Sequence, residues 1–405
     1  MATVTQSTSL APVPHHVPEH LVVDFDLYDP PGAGEDFHGA WKRLQDEAPD
    51  MIWTPRNGGH WIALRGKLIH EIFADFEHFS SKTIIVPRER GDGIKVLPTT
   101  LDPPEHRPYR ALLNAGLSPR MVRELEPDIR DLVVRTVEQL APRGKCEFVS
   151  EFAEVLPINI FMMMVDLPLD DALMMKGWVD DVLRPESADS AEATMQKFSD
   201  YLKPVIRERT RNPGNDLISQ FVTSEVNGAP LPEHQAIELG TQVLMGGLDT
   251  VISSLGFIML FLARNPGHRR QLIDDPSIKH TAVEEFFRRF GIVQNGREVL
   301  ADLDFHGVHM RGGDLVIMPN ALHGLDDREY ERSLDVDFRR KIGAHSTFGN
   351  GAHRCPGAML ARSEVRITLE EWLPRIPDFR VDETDRVEME GGIVATVNRL
   401  PLRWD

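Results

Sequence analysis

Apolar residues recur every three or four positions through most of this 405-residue chain, which predicts a largely helical protein. The clearest stretches are Met121–Leu140, Val155–Val165, Phe198–Arg209 and Ala282–Phe290. Asn212-Pro213-Gly214 closes the third, because proline breaks the backbone hydrogen-bond ladder. Short alternating runs at Met51–Thr54 and His60–Leu64 flank Asn57-Gly58-Gly59 and predict a hairpin. A second hairpin is predicted across Phe305–Met310 and Asp314–Met318, turning at Gly312-Gly313. The pattern as a whole is mainly α with small β-sheets at the periphery.

The longest helical run extends from about Pro232 to Arg264 and stops at Asn265-Pro266. Its second half, Val251–Ala263, is almost continuously apolar. Gly246, Gly247 and Asp249 interrupt it before the ~20 apolar residues of a membrane span. A helix apolar on all sides is then one that runs through a protein core. Each of the adjacent glycines costs roughly 1 kcal/mol relative to alanine. Close approach of a flat ligand would offset that cost. Asp249-Thr250 is also unfavourable in mid-helix. Thr250 either bonds back to the preceding turn and bends the helix, or the pair serves chemistry.

Composition narrows the function classes. The net charge of −18 makes nucleic acid and anionic membranes poor partners. No Gly/Ser/Pro-rich linker divides the chain, so residues 21–405 are predicted to form one domain behind a loosely ordered tail, 1–20. That tail has no apolar core of the kind a signal peptide needs. The two cysteines, Cys146 and Cys355, are far apart, which implies no disulfide framework and a reducing, cytoplasmic setting. His15, His16 and His20 lack neighbouring ligands at metal spacing and are predicted to be solvated.

Cys355 sits in Phe348-Gly349-Asn350-Gly351-Ala352-His353-Arg354-Cys355-Pro356-Gly357, just ahead of a helix starting at Ala358. A thiolate at a helix N-terminus is favoured by the dipole and by unpaired N–H groups. The spacing Phe-x-x-Gly-x-His-x-Cys-x-Gly resembles the haem-ligand loop of the cytochrome P450 family. The resemblance implies that Cys355 ligates the iron of haem b, iron protoporphyrin IX. Glu285-Phe286-Phe287-Arg288, read alone, is an (i, i+3) ion pair. Within the family it is the Glu-x-x-Arg motif, and Arg340 would complete a structural triad. The family's helix over the haem would be Pro232–Arg264, with Asp249 and Thr250 as its proton-delivering acid–alcohol pair. His106 and Arg110, at i and i+4 on one helix face, resemble the family's propionate ligands. Arg297 and His353 would add two further donors.

The resemblance is strongest to the bacterial camphor-hydroxylating branch of the family. It rests on blocks such as Leu97–Pro104, Gly246–Val251 and Arg375–Phe379. Ile94 falls where that branch has a tyrosine donor to the substrate ketone; Ile85 and Val96 fall where it has aromatic rings. A pocket that loses its hydroxyl donor loses the selectivity built on it. Gln242 and Met245 replace smaller or aliphatic residues ahead of Thr250. Gln242 either contacts a substrate carbonyl or pairs with backbone. With Val293 these residues define a roomier pocket, suited to an ionone-like norisoprenoid or a sesquiterpenoid rather than camphor. No flavin or iron–sulfur motif is present, so two electrons would come from outside the chain; the resemblance implies a [2Fe–2S] ferredoxin with a flavin-dependent reductase as their source, and O₂ as the source of oxygen. Arg107, Arg110, Arg354 and Arg362 would form a patch for it. Lys176 and Arg184 would be ion-pair partners for Asp249. A peroxide-driven peroxygenase and a non-catalytic haem sensor are the alternatives, and the acid–alcohol pair argues against both.

Overall fold

The computed structural model describes residues 10–92, 94–183 and 188–405. The site is framed by seven helices, α1 (His106–Gly116), α2 (Pro119–Leu140), α3 (Val155–Val165), α4 (Glu233–Gly247), α5 (Thr250–Arg264), α6 (Lys279–Arg289) and α7 (Ala358–Arg375). Between α3 and α4 run the helices Ala172–Leu183 and Ala188–Arg211, the second packing along α4.

The central element is α4–α5. Residues 251–260 of α5 are all buried, as continuous apolarity requires. Glu233–Arg264 has the length and hydropathy of a membrane span, yet 78% of its most apolar window is buried within the protein. The run breaks between Gly247 and Thr250, where Asp249 leaves helical geometry at φ −133°, ψ −40°.

The helices α2 and α7 pack side by side, joined by ions along their contact. Arg130 bonds Glu370 and Glu371, and Arg366 bonds Glu126 at 2.6 Å. The largest sheet has five strands: β1 (Met51–Thr54), β2 (His60–Ala63), β3 (Phe79–Ser80), β4 (Gln294–Val299) and β7 (Leu315–Pro319). Their order is β1-β2-β7-β4-β3. The first hairpin pairs in the register Trp53↔Trp61, and Val316 of β7 lies between Trp61 and Arg297.

Two sequence expectations are corrected. The second hairpin closes earlier, between β5 (Leu303–Phe305) and β6 (Val308–Met310), at His306-Gly307. Both turn residues have positive φ, 51° and 82°, the backbone a two-residue hairpin needs. The following strand β7 pairs β2 and β4 instead, because its wholly buried side chains belong in the central sheet. The expected loose tail is also packed from residue 10 onward. Ala11 N–H donates to Pro55 O, His16 bonds Asp314 at 2.9 Å, and Val17 is buried. Residues 1–9 lie outside the described residues.

Candidate active site

A cavity of about 320 Å³ lies between α4–α5 on one side and the Cys355 loop with α7 on the other. Its walls bring together Arg110, Gln242, Thr250, Val293, Arg297, His353 and Cys355, which are dispersed across the sequence.

The cysteine loop is fixed by backbone and rings. Cys355 N–H donates to Phe348 O at 2.8 Å, and Gly349 N–H to Ser346 O at 2.7 Å. Gly351 has φ +65°, and a Cβ there would lie 2.7 Å from Phe73 O, so both backbone and space demand glycine. Phe348 packs on Phe287 at 4.7 Å and under the Arg362 guanidinium at 4.4 Å. Cys355 is solvent-exposed and lines the cavity. Burial pushes its thiol upward; the Gly357 and Ala358 amides, Arg110 and Arg362 pull the other way, toward thiolate. The other cysteine, Cys146, is buried in the strand Lys145–Glu147, away from the cavity wall.

Behind this loop, Glu285 and Arg288 of α6 are both 0% exposed and joined by two bonds of 2.7 and 2.8 Å. Arg340 Nε donates to the same carboxylate at 3.2 Å. Arg288 also donates to the carbonyls of Gly324, Ser333 and Asp335. A buried ion pair survives desolvation only with such additional bonds, and here they tie α6 to the strand-free segment leading to the cysteine loop.

Across the cavity, one stripe of α4–α5 forms the wall: residues 242, 243, 246, 247, 250, 251 and 254. The two glycines have different reasons. A Cβ on Gly247 would lie 2.3 Å from Phe161, so it permits close packing of α3. At Gly246 only the Gln242 amide nitrogen is near, at 3.9 Å, so it leaves the cavity face bare. Thr250 does bond back, donating to Gly246 O at 3.0 Å. Its lone pairs remain on the cavity side as acceptors. Asp249 is 2% exposed. Burial lowers the pKa of nearby Lys176, but Asp180 at 2.8 Å, then Glu154 at 3.5 Å and last the field of Asp249 raise it above the ordinary value. Arg184 lies outside the described residues.

At the third side, basic side chains gather; Asp102, whose field reaches Arg297 and His106, is itself bonded to Ser80 and Ser81. Arg297 is 4% exposed and makes no salt bridge among the described residues; burial depresses its pKa to about 10. It lies over the Phe73 ring at 5.3 Å. The rings of His106 and His353 are 4.3 Å apart, and both Nε2 atoms are buried without a partner. Burial and the neighbouring cations hold His106 at about 4 and His353 at about 2. Arg110 donates to Arg354 O and stands beside Cys355. A buried, unpaired guanidinium is costly, so this corner is built for a carboxylate.

Four residues assigned to the substrate pocket stand elsewhere. Ile85, Ile94 and Val96 are 5%, 2% and 1% exposed and already taken up by the apolar core; Pro98 and Thr99 form the cavity wall in their place. Met245 lies off the stripe that starts at Gln242 and packs partly against the core, because 100° per residue turns it away. Conversely, Asn295, Phe161, Met164, Leu113, Leu117 and Glu364 line the cavity without having been singled out. Signals for some existed. Asn295 falls between Val293 and Arg297 on one strand face, and Leu113 and Leu117 follow Arg110 at helical spacing.

A thiol facing a bare helix face, with an anion cradle between them, defines a site for a flat, anionic, metal-bearing cofactor. The chain belongs to the cytochrome P450 family, whose model matches residues 158–275 and 280–392. It is 33% identical to the "Probable cytochrome P450 127A1" of Sinorhizobium fredii, over 97% of each chain. Among solved structures it resembles CYP101J2 at 43% identity and TM-score 0.91, covering 98% of this chain and 100% of that one. It also resembles CYP101C1 at 40% identity and TM-score 0.89, covering 97% and 100%. The family's cofactor is haem b held through a cysteine thiolate, and its activity is monooxygenation. The orphaned His106 and His353 nitrogens and the unpaired Arg297 fit the propionates of that group.

Proposed function

We propose that this monooxygenase hydroxylates an unactivated C–H bond of a small, mostly apolar terpenoid, with an ionone-like norisoprenoid or a sesquiterpenoid favoured over camphor. The reading rests on one observation: beside Thr250 and Cys355, the cavity is lined by the apolar side chains of Phe161, Met164, Val243, Val251, Ile292 and Val293. Such a wall recognises shape and apolar area, with few polar groups to orient the ligand. The kinship to CYP101J2 and CYP101C1 supports it.

Haem b supplies the oxygen activation and the C–H chemistry when bound. Cys355 would be its thiolate ligand; burial raises the thiol's pKa, and the Gly357 and Ala358 amides act against that rise. Arg297, Arg110, His106 and His353 anchor the propionates. Thr250 accepts a hydrogen bond at the cavity face while its proton stays on Gly246 O, so it orders a proton donor there. Asp249, buried beside Lys176, carries protons from the Glu154–Lys176–Asp180 cluster toward that hydroxyl. Glu285, Arg288 and Arg340 hold the scaffold behind the loop. Two electrons come from a [2Fe–2S] ferredoxin served by a flavin-dependent reductase, with the exposed Arg107 and Arg354 offering it cations near the cysteine loop. The enzyme is read as cytoplasmic. A terpenoid panel tests this. Ionone-like ketones should shift the haem spin state and give hydroxylated product with ferredoxin and NADH; a panel with no shift refutes the substrate class.

A further inference from the structure

Several hydroxyl and amide groups on the cavity wall are engaged by protein, whereas His353 Nε2 and Glu364 are not. Thr250 donates to Gly246 O and Ser254 to Thr250 O. Asn295 donates to Asn320, and Asn320 to Thr347 O. Gln242 differs. It lines the cavity, and its amide has no hydrogen-bond partner among the described residues. The backbone pairing open to it is not made. Its Nε2 instead lies 3.9 Å from the position a Gly246 Cβ would take, over the bare part of the helix. Gly246 and Thr250 are one turn apart on the same stripe.

We infer that Gln242 is the polar anchor of the substrate site, its Nε2 donating to a single accepting oxygen on the ligand. The inference rests on the terpenoid reading and narrows it to cyclic terpenoids bearing one ketone or ether oxygen. It also fixes orientation. With the amide over Gly246 and the reacting position beside Thr250, the ligand oxygen and the oxidised carbon are held apart along the wall from Gly246 to Thr250. Oxidation therefore falls across the skeleton from the oxygen, not next to it. An unpartnered amide in an apolar wall also penalises a ligand that offers it nothing, since it is desolvated without return.

The test is a cycle of two ligands and two proteins. β-Ionone and the hydrocarbon in which CH₂ replaces its C=O are titrated into holoprotein, wild type and Gln242→Leu, following the low-spin to high-spin shift. Wild type should bind the ketone roughly three- to tenfold more tightly, the worth of one hydrogen bond. In Gln242→Leu the two ligands should converge. Gln242→Met serves if the leucine variant loses haem. Product analysis should show the oxidised carbon remote from C=O in wild type and a wider product spread in the variant. If both ligands bind and the preference survives in Gln242→Leu, or vanishes only in Thr99→Val, the anchor assignment is wrong while the terpenoid reading stands. If neither ligand binds, both fall.

Discussion

Glu364 offers the sharpest quantitative test of this packing. It sits on α7, lines the cavity, is 2% exposed, and has neither a hydrogen bond nor an ion pair among the described residues. Burial alone pushes its carboxyl from 4.5 up to about 8. Each tenfold change in proton affinity is worth about 1.4 kcal/mol, so this rise corresponds to roughly 5 kcal/mol. The sign follows from proton counting. Between pH 4.5 and 8 the folded protein keeps a proton that the unfolded chain has released. Glu364 therefore leaves stability untouched below pH 4.5, erodes it progressively up to pH 8, and exacts the full loss above. Glu364→Gln cannot ionise and lacks this slope. Denaturant unfolding of the holoprotein, followed by circular dichroism and haem absorbance from pH 5 to 8.5, compares the two. The variant should gain several kcal/mol on wild type across that range. Parallel pH profiles would falsify the buried, unpartnered carboxylic acid.

Three further outcomes concern the chemistry. Cys355→His should abolish the red-shifted Soret band of the reduced carbon monoxide complex, together with monooxygenation; an unchanged spectrum excludes Cys355 as the ligand. Thr250→Ala should leave ligand affinity intact and divert reducing equivalents to hydrogen peroxide, measured as product per NADH, whereas full coupling removes its role in ordering protons. Pro356 has no N–H to offer the sulfur, which is served by the Gly357 and Ala358 amides. Pro356→Leu adds a donor, and should raise the reduction potential measured with the same ligand bound; an equal or lower potential, with the loop unmoved, refutes that account.

The motifs that meet at this site were legible because they are short spacings. A thiolate loop needs glycines at fixed offsets, and the Glu285–Arg288 pair needs one helical turn, so both survive as patterns in the chain. The helix boundaries at Val155–Val165 and near Leu140 were legible for the same reason, since periodicity is local. The substrate wall was not. Ile85, Ile94 and Val96 are apolar residues in a loop, and nothing local says whether such a residue faces a cavity or the core. The answer depends on which other surfaces arrive, and here the core takes them. The second hairpin failed similarly: β7 is a short, continuously apolar run beside a Gly-Gly turn, but long-range pairing with β2 and β4 wins it for the central sheet. Gly246 and Gly247 state the limit most clearly. In sequence they are equivalent, each lowering helix propensity by the same amount. In the fold one admits Phe161 and the other keeps the cavity open beneath the Gln242 amide. The pair could be read as functional from its cost alone, but its division of labour required the third dimension. That same step turned Gln242 from a residue with two readings into one whose amide has no hydrogen-bond partner among the described residues.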